Sequence, residues 1–237
     1  MTTQLITKLA FCLTFFFFFH NGYSQKISKI ELPSSYDFDY IYKLKMTHKK
    51  KDITFDYYLK EGGMYFGIDS AEMSKSSPDT KMFMVMDSNL NITAMFMEMM
   101  GKKVVQKTKL KASDFKGDSD NSEYSFEKLD SKTIMGYECE GFVSENDKVK
   151  ITIYMTDDVP VSFNQVFGTN SKNLPKGFNP EWMKRYSENG LMMEMVYVDK
   201  KKVKNSMTMQ CVGLEKTEFS IDASKYGSMM SVLGAGN

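Results

Sequence analysis

The chain has 237 residues, 42% hydrophobic and 26% charged, with 31 Lys and Arg against 30 Asp and Glu. This balance excludes a mostly disordered, collagen-like or polytopic membrane chain, and a formal charge of +1 leaves no global field to gather nucleic acid. One domain is the natural count, and the feature that calls for a reason is the 21 methionines.

Lys8 precedes an apolar run over residues 9–19, centred on five consecutive phenylalanines from Phe15, and Gly22-Tyr23-Ser24 follows. A basic start, an apolar stretch too short to span a bilayer comfortably and small residues before a cut predict a secretory signal removed after Ser24. Cys12 lies inside the run and follows the bulky Phe11, the wrong place for a lipidated cysteine. The expected product is periplasmic or secreted, and no later segment reaches the length of a transmembrane anchor.

Residues 36–47 alternate apolar and polar, which predicts a strand with one wet face, and residues 53–59 repeat the pattern before a turn at Gly62-Gly63. Two Met-rich runs, 81–86 and 93–100, flank Asp87-Ser88-Asn89-Leu90-Asn91 and predict a hairpin. The first run is apolar on both faces, so something should cover both. A strand over 104–110 and a polar loop over 113–123 come next, then strand signals at 124–129, 133–135, 138–143 and 149–155.

Residues 162–167 allow a helical turn. Asn179-Pro180-Glu181-Trp182 predicts a helix start, with Asn as cap, Pro at the first helical position and Glu at the positive helix end. Trp182 and Tyr186 fall four apart on one face of that helix, and Asn189-Gly190 stops it. Strands at 191–199 and 203–214 close the pattern around Lys200-Lys201-Lys202, and residues 224–237 are small and polar enough to fray. The predicted fold is α+β and mostly antiparallel: a strongly curved, open barrel of about ten strands covered by one or two helices, as a single domain over residues 25–223.

Thr133-Ile134-Met135-Gly136-Tyr137-Glu138-Cys139, a polar turn, the strand at 149–155 and Thr156-Asp157-Asp158, together with the Met-rich hairpin over 82–100, carry a resemblance. Over roughly residues 36–221 the chain resembles exported envelope proteins grouped as domain of unknown function 4412, a group similar in fold to the lipoprotein carrier LolA. The resemblance implies an incomplete barrel closed by helices around an apolar cavity. It assigns no activity, and no functional residue of LolA matches a position here.

Catalytic chemistry finds little support in the residues. His20 leaves with the signal, so a histidine mechanism would rest on His48, which sits in a lysine-rich turn. Too few His and Cys remain for a usual zinc site. Asp37 and Asp39 share the wet face of their strand, and the oxygen-rich run Asp118-Ser119-Asp120-Asn121-Ser122-Glu123 lacks the glycine and distant glutamate of a calcium loop. Lys49 to Lys51 and Lys200 to Lys202 read as hairpin tips whose charge deters edge pairing. Cys139 and Cys211, the only cysteines left after cleavage in an oxidising compartment, are expected to form a disulfide that contributes about 4 kcal/mol.

The methionines divide the readings. As flexible apolar side chains they suit a surface that adapts to its ligand; as soft thioethers they could hold Cu(I); they could also be plain core. The favoured reading is a non-enzymatic binder of a lipid, acyl chain or lipidated protein, with no cofactor and no nucleic acid partner. Met82, Met84, Met86, Met95, Met97 and Met99 are the expected lining, and Trp182 and Tyr186 close the mouth. A Met-based copper binder and an interaction domain with a filled core are the alternatives.

Overall fold

Period-two alternation becomes pleated strand in β1 (Ser35–His48), in which Tyr36, Phe38, Tyr42 and Leu44 are buried. The computed structural model describes residues 30–69, 80–99, 101–110, 125–162, 186 and 190–229. The chain divides into two units, Met1–Leu32 and Pro33–Asn237, and every described strand belongs to the second.

β2 (Lys51–Leu59), β3 (Tyr65–Asp69), β4 (Thr80–Asp87), β5 (Ile92–Met99) and β6 (Lys102–Lys109) continue from β1 as an antiparallel meander. β7 (Ser125–Ile134), β8 (Tyr137–Glu145), β9 (Val149–Thr156) and β10 (Leu191–Asp199) form a second one. The long β11 (Met207–Asp222) pairs with β10 on one side and β1 on the other, joining the two meanders, and β12 (Gly227–Ser228) adds parallel to β6.

The result is one open, twelve-stranded sheet in the order β12-β6-β5-β4-β3-β2-β1-β11-β10-β9-β8-β7. Register shifts interrupt the β1–β11, β9–β10 and β7–β8 pairs. Such irregularities bend strands and increase their twist, which lets a wide sheet curl over its own side chains.

Two expectations about the strands and the tail change. Among the described residues the strand count is twelve, not about ten, because β3 and β12 are additional and the signals expected at 124–129 and 133–135 fall on one strand, β7, kinked between Leu129 and Lys132. The segment expected to fray is anchored at its start: β12 pairs with Val104 and Val105, the Tyr226 hydroxyl donates to Glu98 at 3.0 Å, and the Tyr226 ring meets Phe96 edge-on at 5.0 Å.

The expected helix cover at Asn179 and Trp182 lies outside the described residues, as does the run at 118–123. Among the described residues the helical content is two single 3-10 turns, Val203–Asn205 and Ala223–Lys225, and the lone helical positions Tyr186 and Met229. No described helix is long and apolar enough to cross a membrane.

One core is aromatic. Phe38 lies 5.6 to 5.8 Å from Tyr58, Tyr65 and Phe83 in edge-to-face contacts and stacks on Phe219 at 6.0 Å. A second cluster contains Tyr42, Leu59, Phe66, Leu191 and Met193. Cys139 and Cys211 belong to it too, as buried free thiols, so the expected disulfide is not formed. The physical reason is sheet order: β9 and β10 stand between β8 and β11, and each thiol donates within its own strand, Cys139 to the Tyr137 carbonyl at 3.4 Å and Cys211 to that of Gly213 at 3.5 Å. Burial pushes the Cys139 thiol up to about 11.

Burial also raises Tyr36 and Tyr42 far above the usual phenol range. The unfolded chain then releases these protons at lower pH than the folded one, so their contribution is complete below about pH 10 and is lost as the pH rises beyond it. The unfolding free energy from urea titrations should therefore fall from pH 9 to pH 11, by up to about 1.4 kcal/mol per pH unit for each tyrosine. A flat profile would contradict their burial.

Candidate hydrophobic binding face

Directly opposed residues of an antiparallel pair share one face of the sheet, so the β4–β5 register sorts the Met-rich hairpin. Phe83 opposite Phe96, Val85 opposite Ala94 and Asp87 opposite Ile92 form one face, and all six are buried. Met82 opposite Met97, Met84 opposite Met95 and Met86 opposite Thr93 form the other, and Met99 opposite Thr80 extends it. The run that reads as apolar on both faces thus separates into an aromatic and aliphatic side that is closed and a methionine side that is not. Met97 is buried, at 7% exposure, whereas Met82, Met84, Met86, Met95 and Met99 are half-buried.

The methionine side continues across the sheet as rungs. Met95, Met84, Ile68, Tyr57 and Tyr42 are successive cross-strand partners from β5 to β1. Thr93, Met86, Phe66, Leu59 and Tyr40 form the next rung. Burial differs along the rungs: Tyr42, Leu59 and Phe66 are at most 2% exposed, while Tyr40, Tyr57, Ile68 and the methionines of the rungs are half-buried. The closed end is fixed by the Tyr42 hydroxyl, which donates to the Met192 carbonyl at 2.5 Å and ties β1 to β10. These rungs carry no charged side chain, and Met84, Met95 and Met86 toward their open ends are unbranched thioethers that repack readily.

Of the residues expected at this face, the six methionines are brought together and Tyr186 is not. Tyr186 packs with Phe142 and Met155 in a separate cluster, and its hydroxyl donates to Glu140 at 2.8 Å. Trp182 lies outside the described residues. Phe66 and Ile68 are the residues that sequence reasoning missed; their signal was alternation around Gly67 in a stretch only five residues long.

The other candidates have structural partners. Asp39 accepts from Lys60 Nζ and the Glu61 N–H, both at 2.9 Å, Asp37 accepts from the Ser35 hydroxyl at 3.1 Å, and His48 Nδ1 donates to the Ser206 carbonyl at 3.1 Å. Among the described residues no group of three His, Cys, Asp or Glu side chains is placed to hold a metal ion.

The family model Domain of unknown function (DUF4412) matches residues 38–226, which span the sheet from β1 to the turn before β12. The chain belongs to this family. No curated protein matches it in sequence. Among solved structures, PNGF-II is similar at 10% identity and a TM-score of 0.41, over 83% of this chain and 32% of that one. The DUF4412 chain thus spans about a third of the length of PNGF-II. An uncharacterized conserved protein from Thermus thermophilus is similar at 7% identity and a TM-score of 0.40, over 79% of this chain and 83% of that one. A LolA superfamily protein from Nitrosomonas europaea is similar at 9% identity and a TM-score of 0.28, over 86% and 96%.

Proposed function

We propose that this DUF4412 protein is a non-enzymatic binder of a hydrophobic ligand, an acyl chain of a lipid or lipidated protein, which lies along the methionine side of β4 and β5. The observation that carries the reading is the division of labour in the hairpin. Phe83, Val85, Ala94 and Phe96 already supply a closed core on one face, and five half-open methionines stand on the other beside apolar β3. A contiguous apolar patch of this kind is a usual mark of a binding surface. Burial of the chain drives binding, at about 0.8 kcal/mol for each methylene removed from water. Residues 1–24 act in the same reading as a cleaved export signal, so the protein works in the periplasm or outside the cell.

The test is titration with a fluorescent fatty acid. Met84→Asp should weaken binding at least about tenfold by placing a charge on the open end of the rung, while the melting temperature stays near that of the wild type and Met84→Leu still binds. Met97, being buried, is the control for packing: Met97→Asp should lower stability. If the wild type ignores the fatty acid and Met84→Asp unfolds the protein, the methionines are core and the reading falls. The thioether pairs Met82/Met97 and Met84/Met95 favour one second reading, a soft-metal site. Saturable Ag(I) binding without fatty-acid binding would put that reading in its place.

A further inference from the structure

Three hairpin tips that are far apart in the sequence meet at one end of the sheet. The β1–β2 tip carries Lys49, Lys50 and Lys51; the β8–β9 tip carries Lys148 and Lys150; and the β10–β11 connection carries Lys200, Lys201, Lys202 and Lys204. Three contacts hold them together. His48 donates to Ser206 at 3.1 Å, the Lys200 N–H donates to the Lys148 carbonyl at 2.8 Å, and Lys200 Nζ reaches Glu145 at 2.5 Å. Against these nine lysines stand, among the described residues, four carboxylates, Asp52, Glu145, Asp147 and Asp199, a local excess of five positive charges in a chain whose formal net charge is +1. The strands involved are six neighbours, β2-β1-β11-β10-β9-β8, so the rim is about 24 Å wide.

Edge protection does not account for this charge, because β1, β2, β10 and β11 are all interior strands with partners on both sides. Nor do local backbone needs. Lys49 and Lys50 form the two-residue β1–β2 turn with φ of 50° and 61°, left-handed positions at which Asn and Gly are favoured and lysine is strained. Strain retained at a tip points toward function. Three of the four carboxylates are already engaged: Asp199 accepts the N–H groups of Lys201 and Lys202 at 3.0 and 2.7 Å, Glu145 pairs with Lys200 and Lys150, and Asp52 accepts the Thr47 hydroxyl at 2.6 Å. Amid the lysines, Val203 is 71% exposed, the most exposed of the large apolar side chains described.

We propose that this basic rim docks the protein on an anionic lipid bilayer, with Val203 entering the headgroup boundary. The chemistry of the rim selects that partner. Lysines on flexible stems act as diffuse point charges toward many headgroups, whereas nucleic acid recognition would draw on arginine forks and interleaved aromatic rings, which the three tips lack. Exposed aliphatic surface among lysines is the pattern of interfacial binding. The inference stands apart from the methionine face, which it does not use.

The experiment is sedimentation of the chain from Gln25 onward, which contains the whole sheet, with vesicles of phosphatidylcholine alone or mixed with phosphatidylglycerol. The protein should sediment with the anionic vesicles, be released by added salt and ignore the neutral ones. The triple variant K50E/K201E/K202E should bind at least about tenfold more weakly, and Val203→Ser should lose affinity while keeping its salt dependence. These side chains are exposed, so both variants should melt like the wild type and keep the fatty-acid titration, which separates failure here from failure of the methionine face. Equal sedimentation with both vesicles, or a triple variant that binds like the wild type, overturns the proposal. Binding to duplex DNA without binding to anionic vesicles overturns it too, and assigns the rim to nucleic acid.

Discussion

Asp87→Ala should destabilise the protein by about 4 kcal/mol in urea denaturation. Asp87 ends β4 at 4% exposure, where one carboxylate oxygen accepts the Tyr36 hydroxyl at 3.0 Å and the other accepts the Leu90 N–H at 2.9 Å. The first bond joins residues 51 apart in the chain, and the second caps the β4–β5 turn. Hydrogen bonds to a charged group each contribute about 1.5–3 kcal/mol, and removing the acceptor leaves the phenol of a fully buried tyrosine without that partner. Tyr36→Phe removes only the first bond and keeps the ring against Tyr65 and Phe96, so about 2 kcal/mol is expected. In the double variant the two losses should add to less than their sum, because both singles break the same bond. Simple additivity would show that the bond contributes nothing.

Gly67→Ala should destabilise by about 3 kcal/mol, a large value for one methyl group. A Cβ at Gly67 would come within 2.4 Å of Phe83 Cζ and 3.0 Å of Phe38 Cζ. Overpacking usually costs about 1–3 kcal/mol and depends on whether the neighbours can give way. Here they cannot, since Phe83 is itself wedged against Phe38, Tyr58 and Phe219 with ring centroids 5.1 to 5.6 Å apart. Shortening the obstacle should rescue the fold: Gly67→Ala with Phe83→Leu should be more stable than Gly67→Ala alone. If Gly67→Ala melts like the wild type, the backbone of β3 does not pass as close to the aromatic core as the structure places it.

What could be read from the residues depended on how local the signal was. Alternation over residues 36–47 gave β1 and its buried Tyr36, Phe38, Tyr42 and Leu44, and a run apolar on both sides gave β4 its two faces. β3 escaped because Gly67 occupies the middle of a five-residue strand and supplies no side chain to the pattern. The thiols of Cys139 and Cys211 looked like a pair because they were the last two cysteines, a counting argument blind to the two strands between them. The lysine tips were visible singly, but their meeting depends on β11 crossing back beside β1, which no window of sequence contains. In the candidate site, the methionines were legible and their sorting from the aromatic face follows from alternation. Phe66 and Ile68 needed the β3–β4 register.

The seam between β1 and β11 also sets the order in which the molecule can be made. Ser35 pairs with Asp222 and His48 with Met207, so the middle of the sheet joins the two ends of the described chain. Synthesis must pass through β11 before β1 can gain its second neighbour, and until then β1 is an open edge on the first meander. Chains governed by such distant pairings fold slowly, in milliseconds to seconds, and their unpaired edges invite aggregation meanwhile. A polypeptide of this topology cannot lock itself shut early. It stays threadable until its last long strand has emerged.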